Sequence, residues 1–179
     1  MPSAVVLAEA RRTLALLATC AVATGAVAHA ESREAATGPL LAASLSQFNF
    51  VDSGDGLFGG GLEYRWAPLG RWKIIPGAGV TFVEGGAAYG YAALLYDFRI
   101  GRSWFVTPVI GAGYFRNTGT LDLGHALEFK TGLEISVRVA DRYRLGVQGY
   151  HLSNASLSED NPGTEVLQLL FAIPLRGGR

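Results

Sequence analysis

The chain has 179 residues, room for one domain of ordinary size. Lysine plus arginine and aspartate plus glutamate balance at 15 each, which argues against a basic nucleic-acid-binding surface. Glycine is abundant at 24 and proline modest at 7; with many aromatics and little helical periodicity, this leans to an all-β chain rich in turns.

Residues 1–30 come first. Arg11 and Arg12 carry positive charge ahead of the apolar run TLALLATCAVATGAVA, and AHA at 28–30 is a small-x-small cleavage signal before Glu31. The run is short for a membrane anchor and ends in that cleavage pattern. Residues 1–30 are therefore expected to be a cleaved signal peptide and 31–179 the mature chain. Cys20, the single cysteine, lies inside the apolar run and follows Thr19, whereas a lipid-anchor site wants a small residue there. The mature chain then offers no disulfide and no cysteine-based metal site.

No later segment is long and apolar enough for a membrane helix. Alternation with period two recurs instead, in eight candidate strands near 41–50, 57–67, 72–83, 88–99, 103–115, 125–139, 142–154 and 164–175. Turn-rich pieces such as APLGR, IGR, ADR and NASLSEDNPG separate them. Pro76, Pro108 and Pro174 fall inside these segments and are expected to mark bulges or strand ends.

The sixth segment shows the alternation most clearly. Leu127, Phe129, Thr131, Leu133, Ile135, Val137 and Val139 share one face, while Glu128, Lys130, Gly132, Glu134, Ser136 and Arg138 share the other. A soluble barrel would turn the apolar face in and a membrane barrel would turn it out, so alternation alone leaves the choice open. Four features favour the membrane. Opposite charges share the polar faces (Glu63 with Arg65, Asp97 with Arg99, and Glu128, Lys130, Glu134 and Arg138 together), a set that can fill a narrow lumen. Strand lengths suit a tilted bilayer crossing. Short turns alternate with long connections near 116–124 and 154–163, as periplasmic turns alternate with external loops. Trp66, Trp72 and Trp104 all stand beside the short turns, where an interfacial belt is expected. The expected fold is an eight-stranded antiparallel transmembrane β-barrel of the bacterial outer membrane.

The seventh and eighth strands set the functional question. In the seventh, Tyr143, Leu145, Val147, Gly149, His151 and Ser153 share the lipid-facing side; in the eighth, Glu165, Leu167, Leu169, Phe171, Ile173 and Leu175 do. His151, Ser153 and Glu165 thus stand on an otherwise apolar wall at its external end. A hairpin between these strands sets Glu165 opposite or diagonal to His151. Ionisable groups are costly on a lipid face, which favours a functional role. Ser153 would be the nucleophile, His151 its base and later acid, and Glu165 the group that holds the imidazole. His-x-Ser alone is a weak signal, and interfacial polarity is the bland alternative. His125 has no comparable serine and acid around it.

HLSNA followed by NPGTE resembles the C-terminal signature of the lipid A 3-O-deacylase (PagL) family: His-x-Ser-Asn-Ala, an Asn-rich turn, then a glutamate twelve residues after the serine. The resemblance implies an esterase that removes the acyl chain at the 3-position of lipid A in lipopolysaccharide, with His151, Ser153 and Glu165 as the triad. Asn154 and Asn161 match family asparagines. The amides following Ser153, at Asn154, Ala155 and Ser156, and the Asn161 side chain are implied oxyanion donors. The acyl chain would lie along the outside wall of the sixth to eighth strands. No cofactor and no metal are implied, the partner is lipid A in the outer leaflet, and a homodimer is left open. Ser156 departs from the family's glycine after SNA, and the C-terminus PLRGGR lacks the terminal aromatic common in such barrels. The rivals are a structural or adhesin barrel without enzymatic activity and an outer-membrane phospholipase or acyltransferase.

Overall fold

Nine strands make one antiparallel sheet: β1 (Leu40–Phe48), β2 (Leu57–Arg65), β3 (Ile75–Val83), β4 (Ala88–Leu95), β5 (Phe98–Ile100), β6 (Trp104–Arg116), β7 (Leu127–Val139), β8 (Tyr143–Ser153) and β9 (Thr164–Pro174). The structure is a computed structural model and describes residues 38–51 and 56–175. The expected signal peptide with Cys20, the tip of the 51–56 turn and the last four residues lie outside that range. β1 pairs with β2 on one side and β9 on the other, so the sheet closes into a barrel. Closure satisfies every ladder within the chain, as a bilayer demands of any sheet that crosses it.

β4 and β5 are one stave of the wall. Both pair with β6, and the register runs on unchanged from Leu95↔Val109 to Phe98↔Val106. The break falls at Tyr96 and Asp97, opposite Pro108. Proline has no N–H for the ladder, so the sheet is interrupted there without an inserted residue. Counted this way the barrel has the eight staves that the alternation predicts. Pro108 marks a gap and no bulge, whereas Pro76 and Pro174 do lie near strand ends.

Burial settles which face is inside. Glu63, Arg65, Lys130, Glu134, Arg144, Gln148 and Gln168 are buried, while Leu45, Phe58, Leu62, Phe82, Ile110, Ile135, Leu145 and Leu169 are half exposed or more. An apolar band of that extent would be a liability in water and is at home in hydrocarbon.

The lumen is filled in layers. Arg65 donates to Glu63 Oε1 at 2.5 Å and to Glu134 Oε2 at 2.6 Å, joining β2 to β7 across the interior. Tyr91 donates its hydroxyl to Glu63 at 2.7 Å. The Lys130 ammonium sits between the rings of Tyr91 and Tyr150, at 4.3 and 4.2 Å from their centroids. Nearer the short turns, Arg144 pairs with Asp97 at 2.5 Å and stacks on Phe105. The expected Glu63–Arg65 pair forms. The grouping of Glu128, Lys130, Glu134 and Arg138 does not: Lys130 and Glu134 meet β2, and Arg138 lies over Phe105. Successive same-face residues on a strand are about 7 Å apart, a span that Arg65 bridges to Glu63, whereas Glu134 stands two such steps, about 13 Å, from Lys130 and from Arg138. Toward the long loops the filling turns apolar, with Phe48, Tyr89, Phe115, Leu121, Leu123 and Leu152 fully or nearly fully buried.

Trp66, Trp72 and Trp104 are exposed at the short-turn end. The connections 117–126 and 154–163 lie at the other end. That end carries the site.

Candidate active site

The β8–β9 hairpin places the three expected residues together. His151 and Glu165 are a direct cross-strand pair, one rung from the end of the ladder. The imidazole Nδ1 faces Glu165 Oε1 at 3.5 Å, longer than a hydrogen bond, and Nδ1 has no hydrogen-bond partner. Ser153 is the last residue of β8, two beyond His151 and on the same outward face. All three are partly exposed, between the buried lumen positions Leu152 and Val166 and the surrounding membrane. Charge and hydroxyl therefore stand at the outer rim of the apolar band, where burial costs a polar group least.

Neighbouring elements fix this hairpin end. Thr164 donates its hydroxyl to Asn49 Oδ1 at 2.8 Å and accepts from the Asn49 N–H at 3.1 Å, and Phe50 N–H donates to the Glu165 carbonyl at 3.0 Å. The strand end that carries Glu165 is thus tied to the end of β1. Gly163 packs flat against the imidazole: a Cβ there would lie 2.8 Å from His151 Cε1 and 3.1 Å from Nε2. Its φ of 64° also belongs to the left-handed region. Asn49, Thr164 and Gly163 were not singled out from the sequence. The Pro-Gly turn was the signal available for Gly163, and nothing local marks Asn49, whose partner is 115 residues away.

The loop between the strands is held by Asn154. Its side chain is fully buried and its Nδ2 donates to the Leu123 carbonyl at 3.2 Å, the Asp160 carbonyl at 2.8 Å and Ser158 Oγ at 3.1 Å. Its backbone N–H donates to Asn161 Oδ1 at 2.9 Å. The Asn161 oxygen is thereby engaged, and what that residue can still offer a substrate is its NH2 group. Leu123 belongs to the 117–126 loop, so one amide fastens the two longest loops to each other. Gly124 lets them meet, because a Cβ there would lie 2.4 Å from the Asp160 carbonyl.

Ala155 and Ser156 form the centre of a tight turn closed by Leu157 N–H on the Asn154 carbonyl at 3.1 Å. Both have positive φ, 53° and 64°, the pattern of a type I′ turn. This gives the glycine expected at 156 a physical reason, since a serine in the left-handed region costs about 1 kcal/mol. Ser156→Gly is expected to tighten the loop by that amount, and Asn154→Ala to loosen it by about 1–3 kcal/mol through the lost buried hydrogen bonds. Limited digestion of the folded barrel by a broad-specificity protease reads both. Nicking within 154–163 should slow in the first variant and speed in the second; equal rates in all three proteins would contradict both.

Below the site, the outward side chains of β7, β8 and β9 make an apolar wall. Ile135, Val147, Leu145, Leu169 and Phe171 are all exposed on it. The arrangement is a serine, a base and an acid on the outside of a barrel, above a surface suited to hydrocarbon. It can perform acyl transfer on a substrate that approaches through the membrane.

Comparison with known proteins agrees. A family model for Lipid A 3-O-deacylase (PagL) matches residues 58–174. Lipid A deacylase PagL of Bordetella bronchiseptica is 27% identical over 111 residues, 57% of this chain and 62% of that one, so the match spans less than two thirds of that relative. Lipid A deacylase PagL of Pseudomonas aeruginosa is 30% identical over 132 residues, 64% of this chain and 76% of that one. A crystal structure of the outer membrane enzyme PagL superposes with a TM-score of 0.57 at 26% identity, covering 76% of this chain and 99% of that chain. A de novo designed transmembrane β-barrel, at 11% identity and a TM-score of 0.53, shares the fold alone.

Proposed function

The chain belongs to the lipid A 3-O-deacylase (PagL) family and is an outer-membrane β-barrel, and from that premise we propose that it hydrolyses the ester-linked acyl chain at the 3-position of lipid A. The observation that carries the reading is the rung that sets His151 against Glu165, with Ser153 beside them on the lipid-facing wall. A soluble esterase would keep such a group in a cleft open to water. Here it faces the outer leaflet, where the substrate is itself a membrane lipid.

In this reading the acyl chain lies along β7–β9 with its ester at the headgroup boundary. Ser153 Oγ attacks the ester carbonyl while His151 takes its proton. Glu165 holds the imidazole by its Nδ1 edge and stabilises the imidazolium; the 3.5 Å gap closes as the substrate excludes water. The oxyanion is met by the Asn161 NH2 group and by the N–H groups of Ala155 and Ser156, since the Asn154 N–H is engaged by Asn161. Collapse of the intermediate expels the sugar 3-hydroxyl, which takes the proton from His151. Water, deprotonated by His151, then splits the acyl-enzyme to free the fatty acid and restore Ser153.

Residues 1–30 act as the export signal, and 31–179 form the membrane-inserted enzyme. The catalytic groups all come from one hairpin, so the reading needs no second copy; a homodimer would leave the site as it is.

The test is incubation of the purified protein with lipopolysaccharide, followed by mass spectrometry. Lipid A should lose the mass of one acyl chain, and the matching free fatty acid should appear. Unchanged lipid A would remove the reading in favour of a structural barrel, and release or transfer of phospholipid chains would redirect it to a phospholipase or acyltransferase.

A further inference from the structure

The exposed charges of the barrel are sorted by end. Among the described residues, Arg71, Lys73, Arg102 and Arg142 are exposed around the short turns, against Asp141 as the one exposed carboxylate there. Around the long loops the balance reverses, with Glu84, Asp122, Glu159 and Asp160 exposed against Arg116. The periplasmic end therefore carries a positive field and the external end a negative one. A basic surface at the membrane boundary attracts anionic headgroups of the leaflet beside it.

One of those cations borders a groove. Arg71, Trp72, Ile74, Tyr96 and Phe98 line a hollow of about 390 Å³ between the β2–β3 turn and the β4–β5 stave. It opens on the outer wall: Asp97 turns into the lumen to meet Arg144, so Tyr96 and Phe98 on either side of it face out. The two rings meet at 4.6 Å between centroids, beside the gap in the ladder. There Tyr96 N–H donates to the Pro108 carbonyl at 3.3 Å, and proline has no N–H to return. The Arg71 guanidinium lies over the Trp72 indole, 4.8 Å from the ring centroid. Stacking uses the face of the guanidinium and leaves its N–H edge to meet an anion. Among the described residues no carboxylate pairs with Arg71 or Lys73, and Asp97, the one acid on that stave, is engaged by Arg144 and Thr107.

We propose that this groove binds an anionic phospholipid of the periplasmic leaflet, at the opposite end of the barrel from Ser153. The lipid phosphate meets the N–H fork of Arg71, with Lys73 adding charge and the Trp72 indole at the headgroup boundary. The acyl chains run into the hydrocarbon over Ile74, Tyr96 and Phe98, and the exposed Leu94 continues that wall. Charge complementarity selects this occupant. A zwitterionic phospholipid balances its phosphate with its own ammonium, whereas an anionic one brings the uncompensated charge that Arg71 and Lys73 lack. Lipid A, confined to the outer leaflet, meets the acidic end instead.

The experiment is native mass spectrometry of the purified protein in detergent, titrated with palmitoyl-oleoyl phosphatidylglycerol or palmitoyl-oleoyl phosphatidylethanolamine, to give the affinity of the first lipid retained. Wild type is expected to hold phosphatidylglycerol about tenfold or more tightly than phosphatidylethanolamine, the effect of two basic groups at a membrane surface. Arg71→Gln should weaken phosphatidylglycerol by about fivefold and phosphatidylethanolamine by less than about twofold. Lys73→Gln should act in the same direction, a second reading from another exposed side chain. Arg142→Gln controls for the basic end as a whole, because Arg142 is exposed on the β7–β8 turn, away from the groove, and stacks on Tyr143. It should leave the first lipid's affinity within about twofold of wild type. Equal affinity of wild type for the two lipids overturns the proposal. So does a loss in Arg142→Gln as large as that in Arg71→Gln, which would make the attraction a property of the whole rim. Displacement of the lipid by millimolar inorganic phosphate would overturn it in favour of a free anion.

Discussion

Ser153→Ala is expected to lower release of fatty acid from lipopolysaccharide by about 10⁶-fold, the loss typical when the nucleophile of a serine–histidine–acid unit is removed. Ser153 is at the last position of β8, partly exposed and outside the loop network that Asn154 organises. Alanine there removes one oxygen and no buried contact, so the barrel should assemble as before. His151→Ala should cost nearly as much, and the double variant little more than either, because nucleophile and base act as a unit. The measurement is the rate of fatty-acid release by purified variants whose folding has been checked by the heat-dependent gel mobility of closed barrels. Deacylation at the wild-type rate by folded Ser153→Ala would exclude Ser153 as the nucleophile and leave the cluster as interfacial polarity.

The largest stability effect is expected in the lumen. Arg65→Met should destabilise the barrel by about 3–5 kcal/mol, because it leaves buried carboxylates without the cation they share. Arg65 is the joint of that network: it donates to Glu63 on its own strand and to Glu134 on β7, and all three are buried. Lys130 does not replace it, since its ammonium is 3.9 Å from Glu63 Oε2 and is held between two tyrosine rings. Urea unfolding in detergent micelles, followed by tryptophan fluorescence, reads the loss. A triple variant that also makes Glu63 and Glu134 glutamine should recover much of it, because the unpaired charge is then gone. A midpoint unchanged in Arg65→Met would mean that the lumen is hydrated well enough to carry those carboxylates alone.

The two predictions test different halves of the molecule. One removes a group that the wall presents to lipid and leaves the interior alone. The other breaks an interior pair whose members are 69 residues apart in sequence and leaves the hairpin alone. Independence of the two, with Arg65→Met retaining activity wherever it is folded, is what a barrel with its chemistry on the outside requires.

Alternation of side chains was enough to find the eight staves, the faces of β7, β8 and β9, and the external end of the hairpin that carries His151, Ser153 and Glu165. These properties are local: the period of a strand is two residues whatever surrounds it, and a short loop forces its two strands to pair. The His-x-Ser and glutamate spacing was legible for the same reason. Which face points inward was a different matter, because a pattern of period two reads the same in water and in lipid. The charges on the polar faces, the loop lengths and the tryptophans beside the short turns pointed the apolar face outward, and the closed sheet bears this out, with Arg65, Lys130 and Glu134 buried and Leu45, Phe58 and Ile135 outside. The Asp97–Arg144 pair was decided by the lumen, where two residues 47 apart in sequence meet. So was the Asn49–Thr164 clasp that ties β1 to the site. Each of these depends on distances across a closed barrel, and a one-dimensional pattern does not contain them.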